Sequence, residues 1–219
     1  MLVDTTLREG IQSYGIYLSL GEKQLLLDLL GYSGLEEIEI GWSGEGDVQA
    51  VINYCRNRGF SPAISLWCRC KPEDIRRAAW LGASRINIGM PVSSAHIAQR
   101  LKWDQGEVIS SIRENISLAR SLGVEKVTLG LEDASRAEPG ILYCAVRTAA
   151  EAGVDRIRPA DTVGVLDPGK TREMVCKIAS VFRGEIGIHC HNDFGMATAN
   201  TLLALDSCAT HADVSLLGL

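Results

Sequence analysis

The chain has 219 residues, of which 46% are hydrophobic and 22% are charged, and its formal net charge is -5. This length suffices for one domain with a sizeable core, and the composition is ordinary for a globular protein. The acidic balance lacks the basic footprint of nucleic-acid-binding proteins and argues against an anionic membrane surface as partner. No apolar run approaches the length that crosses a bilayer.

The cysteines and the start of the chain bear on the compartment. Seven cysteines are spread singly through the sequence, which favours reduced thiols packed as small core residues over a disulfide framework. A cysteine metal site is the alternative. Met1 leads directly into a predicted strand and leaves no room for a signal peptide. We therefore expect a cytoplasmic protein.

Predicted strands and helices alternate along the whole chain. Apolar residues recur at helical spacing between the strands, and glycine or proline marks many of the boundaries. The predicted strands cover residues 2–9, 35–41, 63–67, 85–89, 125–131, 155–159, 185–188 and 211–216. The predicted helices cover residues 19–30, 47–58, 72–81, 105–122, 139–152, 168–182 and 196–205.

This alternation predicts the fold class. Eight strands and seven helices, at about 30 residues per unit, are typical of βαβ repeats. They predict an α/β protein, a TIM (β/α)8 barrel that lacks its last helix, because the sequence ends at Leu219 after the eighth strand. A doubly wound open sheet is the alternative, which the absence of a glycine-rich dinucleotide loop after strand one disfavours.

The missing helix predicts an open edge. We expect residues 1–219 to form a single catalytic barrel domain that is truncated after strand eight. The apolar flanks of strands one and eight would then be uncovered. A homodimer partner, a complementary chain or a lost segment is expected to cover this edge.

Two histidines stand at the end of the seventh predicted strand. Alternate side chains of a strand point to one face, so His189 and His191 would direct their imidazoles at one point. Barrels place their chemistry at the carboxyl ends of strands, where Glu9 ends strand one. One carboxylate and two imidazoles are a common ligand set for a catalytic divalent ion. Two core or rim histidines without a metal are the alternative.

Further polar side chains follow other strand ends and would face the same mouth of the barrel. They are Arg8, Gln12, Arg69, Glu132 and Thr162. Arg8 would be a fixed cation suited to a developing oxyanion. Each residue also has an ordinary structural interpretation, such as a rim ion pair for Arg8, a helix cap for Glu132 and a turn for Thr162. Their joint occurrence at strand ends is what predicts an active site.

Five stretches carry a family resemblance. Residues 4–10 (DTTLREG), followed by Gln12, and residues 189–193 (HCHND) resemble two signatures of the DRE-TIM metallolyase superfamily. Residues 132–136 (EDASR), 160–168 (ADTVGVLDP) and 193–200 (DFGMATAN) resemble the homocitrate synthases of the nitrogen-fixation type. The resemblance covers essentially the whole chain in order and corresponds to the N-terminal catalytic barrel of that family only.

The resemblance implies a reaction. The enzymes that this chain resembles are acyltransferases that catalyse a metal-dependent Claisen condensation. They join acetyl-CoA to a 2-oxo acid and then hydrolyse the thioester. The closest motifs imply 2-oxoglutarate as substrate and homocitrate as product. By the same resemblance, Glu9, His189 and His191 would hold a divalent metal ion, which could be Mg, Mn, Zn or Fe(II).

Roles for the other residues come from the resemblance and from one separate argument. Matching motif by motif, Arg8 would stabilise the alkoxide, Glu132 would take part in proton transfer from the acetyl methyl, and Gln12 and Thr162 would position the substrate. Arg69 is our own choice for the distal carboxylate of 2-oxoglutarate, because a guanidinium can bind a carboxylate with two hydrogen bonds.

The sequence also departs from the family pattern. A Gly-Glu-Arg-Ala-Gly-Asn-like stretch usually follows strand eight, and this chain ends at Gly218-Leu219. Leu216-Leu217 stand near the place where related isopropylmalate synthases have a metal-binding asparagine, and Ile11 replaces an acidic or amide residue. Three functions stay open: a homocitrate synthase, as a whole enzyme or as one fragment of a split enzyme; another synthase, an aldolase or a lyase of the superfamily; and a non-catalytic partner subunit or relic.

Overall fold

The computed structural model describes every residue from Met1 to Leu219. Strands and helices alternate, as the sequence predicts. The strands are β1 (Leu2–Asp4), β2 (Glu37–Trp42), β3 (Ala63–Arg69), β4 (Arg85–Pro91), β5 (Lys126–Glu132), β6 (Arg156–Asp161), β7 (Glu185–Ile186), β8 (His189–Cys190) and β9 (Ala212–Val214). The helices are α1 (Leu20–Leu30), α2 (Val48–Arg58), α3 (Pro72–Trp80), α4 (Ser94–His96), α5 (Gln105–Ser121), α6 (Pro139–Glu151), α7 (Pro168–Val181) and α8 (Ala197–Ser207).

The helix ends follow from local sequence. Ser19 and Asp104 begin α1 and α5 with capping boxes, in which each side chain accepts an N–H from the glutamate three residues later. Proline occupies the first turn of α3, α6 and α7, where its missing N–H costs no helical hydrogen bond. Gly59 ends α2 in the left-handed region, with φ 62°.

All neighbouring strands are parallel and form a barrel. The hydrogen-bonded order is β7-β6-β5-β4-β3-β2-β1-β9, and β8 pairs with β6. β7 and β8 are two segments of the seventh barrel strand. Ile188 closes the ring against the eighth strand: its N–H donates to the carbonyl of His211 at 3.1 Å, and its carbonyl accepts the N–H of Asp213 at 3.0 Å. The predicted TIM barrel is therefore confirmed, and a short 3-10 turn (Leu216–Gly218) follows β9.

The structure differs from the prediction at several strand ends. The first strand stops at Asp4, because the Asp4 carboxylate accepts hydrogen bonds from both the N–H and the hydroxyl of Thr6 and starts a turn. The seventh strand is interrupted at Gly187, where a Cβ would approach the Arg158 side chain to 3.2 Å. A short helix and a π-helical turn (Ile97–Leu101) occupy the loop after β4, which the sequence analysis left without an element.

Alternate residues of the strands separate two environments. Ile38 on β2 and Ile157 on β6 are fully buried and belong to the apolar core that the helices cover. On either side of each isoleucine, the strands place buried charges, Glu37 and Glu39 on β2 and Arg156 and Arg158 on β6. The period of two of a strand thus puts apolar side chains outside the barrel and an ion-pair network inside it.

A groove lies beside the β1–β9 pair, where the sequence analysis expects an open edge. This groove of about 790 Å³ runs between α8 and β9, and its lining includes Leu2, Leu202, Leu205 and Leu219. Leu2 and Leu202 are 44% and 63% exposed. What covers this edge stays a prediction. None of the helices combines the length and the apolar character that crossing a membrane requires.

The cysteines are all unpaired thiols. Cys55, Cys68 and Cys70 are buried in the core, as the sequence predicts for small apolar side chains, and the other four are partly or fully exposed. Burial raises the pKa of the Cys68 and Cys70 thiols to about 12, which makes them poor nucleophiles and poor metal ligands.

Substitution of a buried leucine by alanine should destabilise the protein, and the same substitution of an exposed leucine should not. Leu66 on β3 is 0% exposed, and Leu66→Ala would leave a cavity between the barrel and its helices. We expect the free energy of unfolding in urea to fall by about 2–5 kcal/mol. Leu25→Ala on α1, where the side chain is 66% exposed, is the matched control and should change it by about 0.5 kcal/mol or less. Equal losses would contradict the assigned core.

Candidate active site

A pocket of about 510 Å³ opens at the carboxyl ends of the strands. Seven of the eight residues that the sequence predicts for the site line it: Arg8, Glu9, Gln12, Glu132, Thr162, His189 and His191. The turn after β1 supplies the first three, and the ends of β5, β6 and the seventh barrel strand supply the others. Parallel strands thus gather residues that are up to 183 positions apart in the chain, as the span from Arg8 to His191 shows.

Glu9, His189 and His191 form a cluster that could hold a metal ion. One ligand atom from each residue lies within 4.8 Å of the other two. Glu9 Oε1 is 3.8 Å from His191 Nε2, and the two imidazole centroids are 5.1 Å apart. The i, i+2 spacing of the histidines therefore has the effect that the strand pattern predicts, and Cys190 between them contributes no ligand atom to the cluster.

The donor chemistry of this cluster fits a divalent cation. Burial lowers the pKa of His191, and the neighbouring His189 lowers it further, so that the imidazole is neutral and can donate a lone pair at neutral pH. His189 Nδ1 lies 2.7 Å from Asp213 Oδ2, which leaves its other ring nitrogen free for a ligand. A carboxylate and two imidazoles with open positions suit Mg, Mn, Zn or Fe(II).

Arg8 lies against this cluster and is fixed from behind. Its guanidinium forms an ion pair with Glu9, and its Nε donates to Glu39 Oε2 at 3.2 Å. The side chain is only 11% exposed. A cation held in this way beside the histidine pair can stabilise negative charge that develops on a bound oxygen atom.

Two more predicted residues face the pocket with defined hydrogen bonds. Glu132 Oε2 accepts a hydrogen bond from Arg100 Nη1 at 2.7 Å. The Thr162 hydroxyl oxygen accepts the N–H of Asp133 at 2.8 Å, so its own proton stays available to a ligand. Gln12 Nε2 donates to the Arg8 carbonyl at 3.1 Å, which leaves the amide oxygen of Gln12 free.

The structure does not bring Arg69 to the pocket. Its guanidinium donates to both carboxylate oxygens of Asp74, at 2.8 and 2.9 Å, and lies 5.0 Å from the centre of the Trp42 ring. Trp42 lines the pocket and Arg69 does not. A role for Arg69 in binding a distal carboxylate would require this pair with Asp74 to open, and it stays a prediction.

The sequence analysis missed the charges under the site. Arg158 donates from Nη2 to both oxygens of Glu39 at 3.1 Å, and its Nη1 lies 3.1 Å from Asp213 Oδ2. Burial alone would raise the pKa of Asp213, and the Arg158 guanidinium and the His189 hydrogen bond outweigh it and hold that pKa below its usual value. Glu37-Ile38-Glu39 and Arg156-Ile157-Arg158 carry opposite charges at the same i, i+2 spacing, which is the signal that could have revealed this pairing.

The sequence is similar to several synthases. It is 40% identical over 222 residues to a putative (R)-citramalate synthase of Archaeoglobus fulgidus, covering 99% of this chain and 45% of that protein. It is 36% identical to 2-isopropylmalate synthase 2 of Caldanaerobacter subterraneus, covering 100% and 57%, and 34% identical to homocitrate synthase subunit alpha of Clostridium pasteurianum, covering 100% and 81%. The chain thus spans about half the length of the first two relatives.

The fold also matches solved structures. The hydroxymethylglutaryl-CoA lyase from Pseudomonas aeruginosa superposes with a TM-score of 0.85 at 21% identity, covering 100% of this chain and 76% of that one. At this identity the likeness supports the TIM-barrel fold alone. The family model described as HMGL-like matches residues 1–219, which confirms the resemblance to the DRE-TIM metallolyases. The chain belongs to the HMGL-like family.

Proposed function

We propose that this pocket belongs to an acyltransferase that condenses acetyl-CoA with a 2-oxo acid, with 2-oxoglutarate as the substrate and homocitrate as the product. The observation that carries the proposal is the position of Arg8 against the Glu9–His189–His191 cluster in one pocket with Glu132. The relatives that are named as synthases of 2-isopropylmalate, (R)-citramalate and homocitrate support this reaction class.

Three arginines of the pocket are candidates to bind an anionic substrate. Arg8, Arg100 and Arg158 line it together with three carboxylates, from Glu9, Glu45 and Glu132. A 2-oxo acid brings one carboxylate beside its keto group, and 2-oxoglutarate brings a second at the far end. Arginine binds carboxylates with paired hydrogen bonds, and the exposed Arg100 is a candidate for the second carboxylate in addition to Arg69.

Different residues bind and polarise different atoms of the 2-oxo acid in the proposed reaction. When bound at Glu9, His189 and His191, a divalent cation supplies Lewis-acid polarisation of the keto oxygen and a template for the acid. Arg8 places a fixed positive charge where the keto oxygen becomes an alkoxide as the new carbon–carbon bond forms. Thr162 offers its hydroxyl proton to the adjacent carboxylate, and the second N–H of the Gln12 amide, which the Arg8 carbonyl does not use, donates to the bound acid.

Glu132 supplies the base of the proposed reaction. The methyl protons of an acetyl thioester are weakly acidic, so a carboxylate must approach the methyl carbon and accept one of them. Glu132 is at the last position of β5, and its carboxylate is 17% exposed to the pocket. Its Oε2 atom is paired with Arg100 and no hydrogen bond reaches Oε1, so Oε1 is the oxygen that would accept the proton.

The proposal also covers the catalytic domain and what covers the groove beside β9. The barrel, residues 1–219, is the proposed catalytic domain, and a second copy of the chain or a complementary chain is the proposed cover of the groove beside β9. Isopropylmalate-type or citramalate-type synthesis is the alternative within the same reaction class, and it would differ in the 2-oxo acid alone.

Release of free CoA thiol from acetyl-CoA tests the proposed reaction directly. We expect release with pyruvate, 2-oxoisovalerate, oxaloacetate or 2-oxoglutarate to require a divalent metal, to stop with EDTA and to be fastest with 2-oxoglutarate. Fastest release with pyruvate or 2-oxoisovalerate would replace homocitrate by citramalate or isopropylmalate as the product. No release with any acid, by a protein that binds metal, would overturn the acyltransferase activity of this chain.

Glu132→Gln should slow turnover without loss of substrate binding. The amide cannot accept the methyl proton, so we expect kcat to fall by about 10²–10⁴-fold while the affinity for the 2-oxo acid, measured by calorimetry, is unchanged. Glu151→Gln is the matched control, because Glu151 is 63% exposed and pairs only with Arg113. A Glu132→Gln protein with wild-type kcat would remove Glu132 from the role of base.

A further inference from the structure

One buried carboxylate beneath the pocket has no role in the steps above. Asp213, the middle residue of β9, has a side chain that is 3% exposed. Its Oδ2 atom lies 2.7 Å from His189 Nδ1 and 3.1 Å from Arg158 Nη1. Its Oδ1 atom has no hydrogen-bond partner. The direct partners of this buried charge are therefore His189 and Arg158, both at Oδ2.

We propose that Asp213 is a positioning residue that holds His189 with its proton on Nδ1 and so presents the bare Nε2 nitrogen to a divalent metal ion. This inference rests on the proposed metal site of the preceding section. A carboxylate can only accept hydrogen bonds, so the short contact requires that His189 Nδ1 is the donor. In its neutral form, a ring with the proton on Nδ1 carries its lone pair on the opposite nitrogen, which is the form that binds a metal.

The geometry behind Asp213 explains why the carboxylate is fixed. Arg158 holds Asp213 with one nitrogen and Glu39 with the other, and Glu39 in turn accepts a hydrogen bond from Arg8. These contacts, from Asp213 through Arg158 and Glu39 to Arg8, therefore connect the proposed metal ligand His189 with the cation that is proposed to stabilise the alkoxide. A change at Asp213 should act on metal binding first, because Asp213 contacts the ligand itself and reaches Arg8 only through two further side chains.

A second buried carboxylate inside the barrel provides a matched control. Glu37 on β2 is also a buried carboxylate, and it accepts a hydrogen bond from the buried Arg156 at 3.2 Å. No ligand of the proposed metal site contacts Glu37; its other partner is Arg85, at 3.1 Å. Asp213→Asn and Glu37→Gln both convert a buried carboxylate in an ion pair with a β6 arginine into an amide, and only the first touches a histidine of the site.

Metal titration of these two variants tests the proposal. We measure binding of Mn²⁺ or Zn²⁺ by calorimetry and expect Asp213→Asn to weaken it about 10–100-fold, as is typical when the partner of a metal-binding histidine is lost. Glu37→Gln should bind the metal as the wild type does. Wild-type affinity in a folded Asp213→Asn protein, or an equal loss in both variants, would overturn the positioning role.

A second measurement on the wild-type protein stands even where Asp213→Asn fails to fold. Long-range ¹H–¹⁵N spectra of the metal-free protein distinguish the two imidazole tautomers, with His189→Gln identifying the signal. We expect His189 to be protonated on Nδ1 and bare on Nε2, and the opposite tautomer would overturn the inference. Absence of metal binding by the wild type would count against the proposed function instead, and the tautomer would still decide what Asp213 does.

Discussion

The site depends on the two buried ion pairs that the guanidinium of Arg158 forms. This guanidinium lies inside the barrel between Glu39 and Asp213, and these two carboxylates contact Arg8 and His189. Burying such charges is unfavourable unless each is paired, and removal of one partner from a buried pair costs about 3–5 kcal/mol. The network therefore resists rearrangement. Because its members lie on strands β2, β6 and β9, Arg8 and His189 are held in fixed positions.

The barrel fold makes this network possible. Alternate residues of a strand face opposite sides, so the same strands that present isoleucine to the helices present charge to the interior. Ring closure at Ile188 brings the seventh and eighth strands together, and with them His189 and Asp213. An open sheet with the same strand order would leave these two strands at opposite edges, so the arrangement of the site follows from the closed topology.

Local patterns predicted the fold and most of the pocket, because both follow from neighbours in sequence. Strand ends, helical spacing and the i, i+2 histidines are local signals, and they placed seven of eight predicted residues around one cavity. Two features of the site were not predicted, and they have different causes. Arg69 also ends a strand, but Asp74, five residues later on α3, engages its guanidinium. Asp213 and Arg158 meet across 55 positions, and nothing in either neighbourhood names the partner.

The site thus combines a rigid half with an adjustable half. His189 and Arg8 are held by buried charges, whereas Glu132 is held by Arg100, whose side chain is 54% exposed. Exposed ion pairs contribute only about 0–1 kcal/mol, because water and salt screen them. An entering carboxylate can therefore replace Glu132 as the partner of Arg100 at little cost in free energy. In the proposed reaction, this exchange would release the Glu132 side chain when an anionic substrate arrives, while the buried network keeps the opposite wall of the pocket in place.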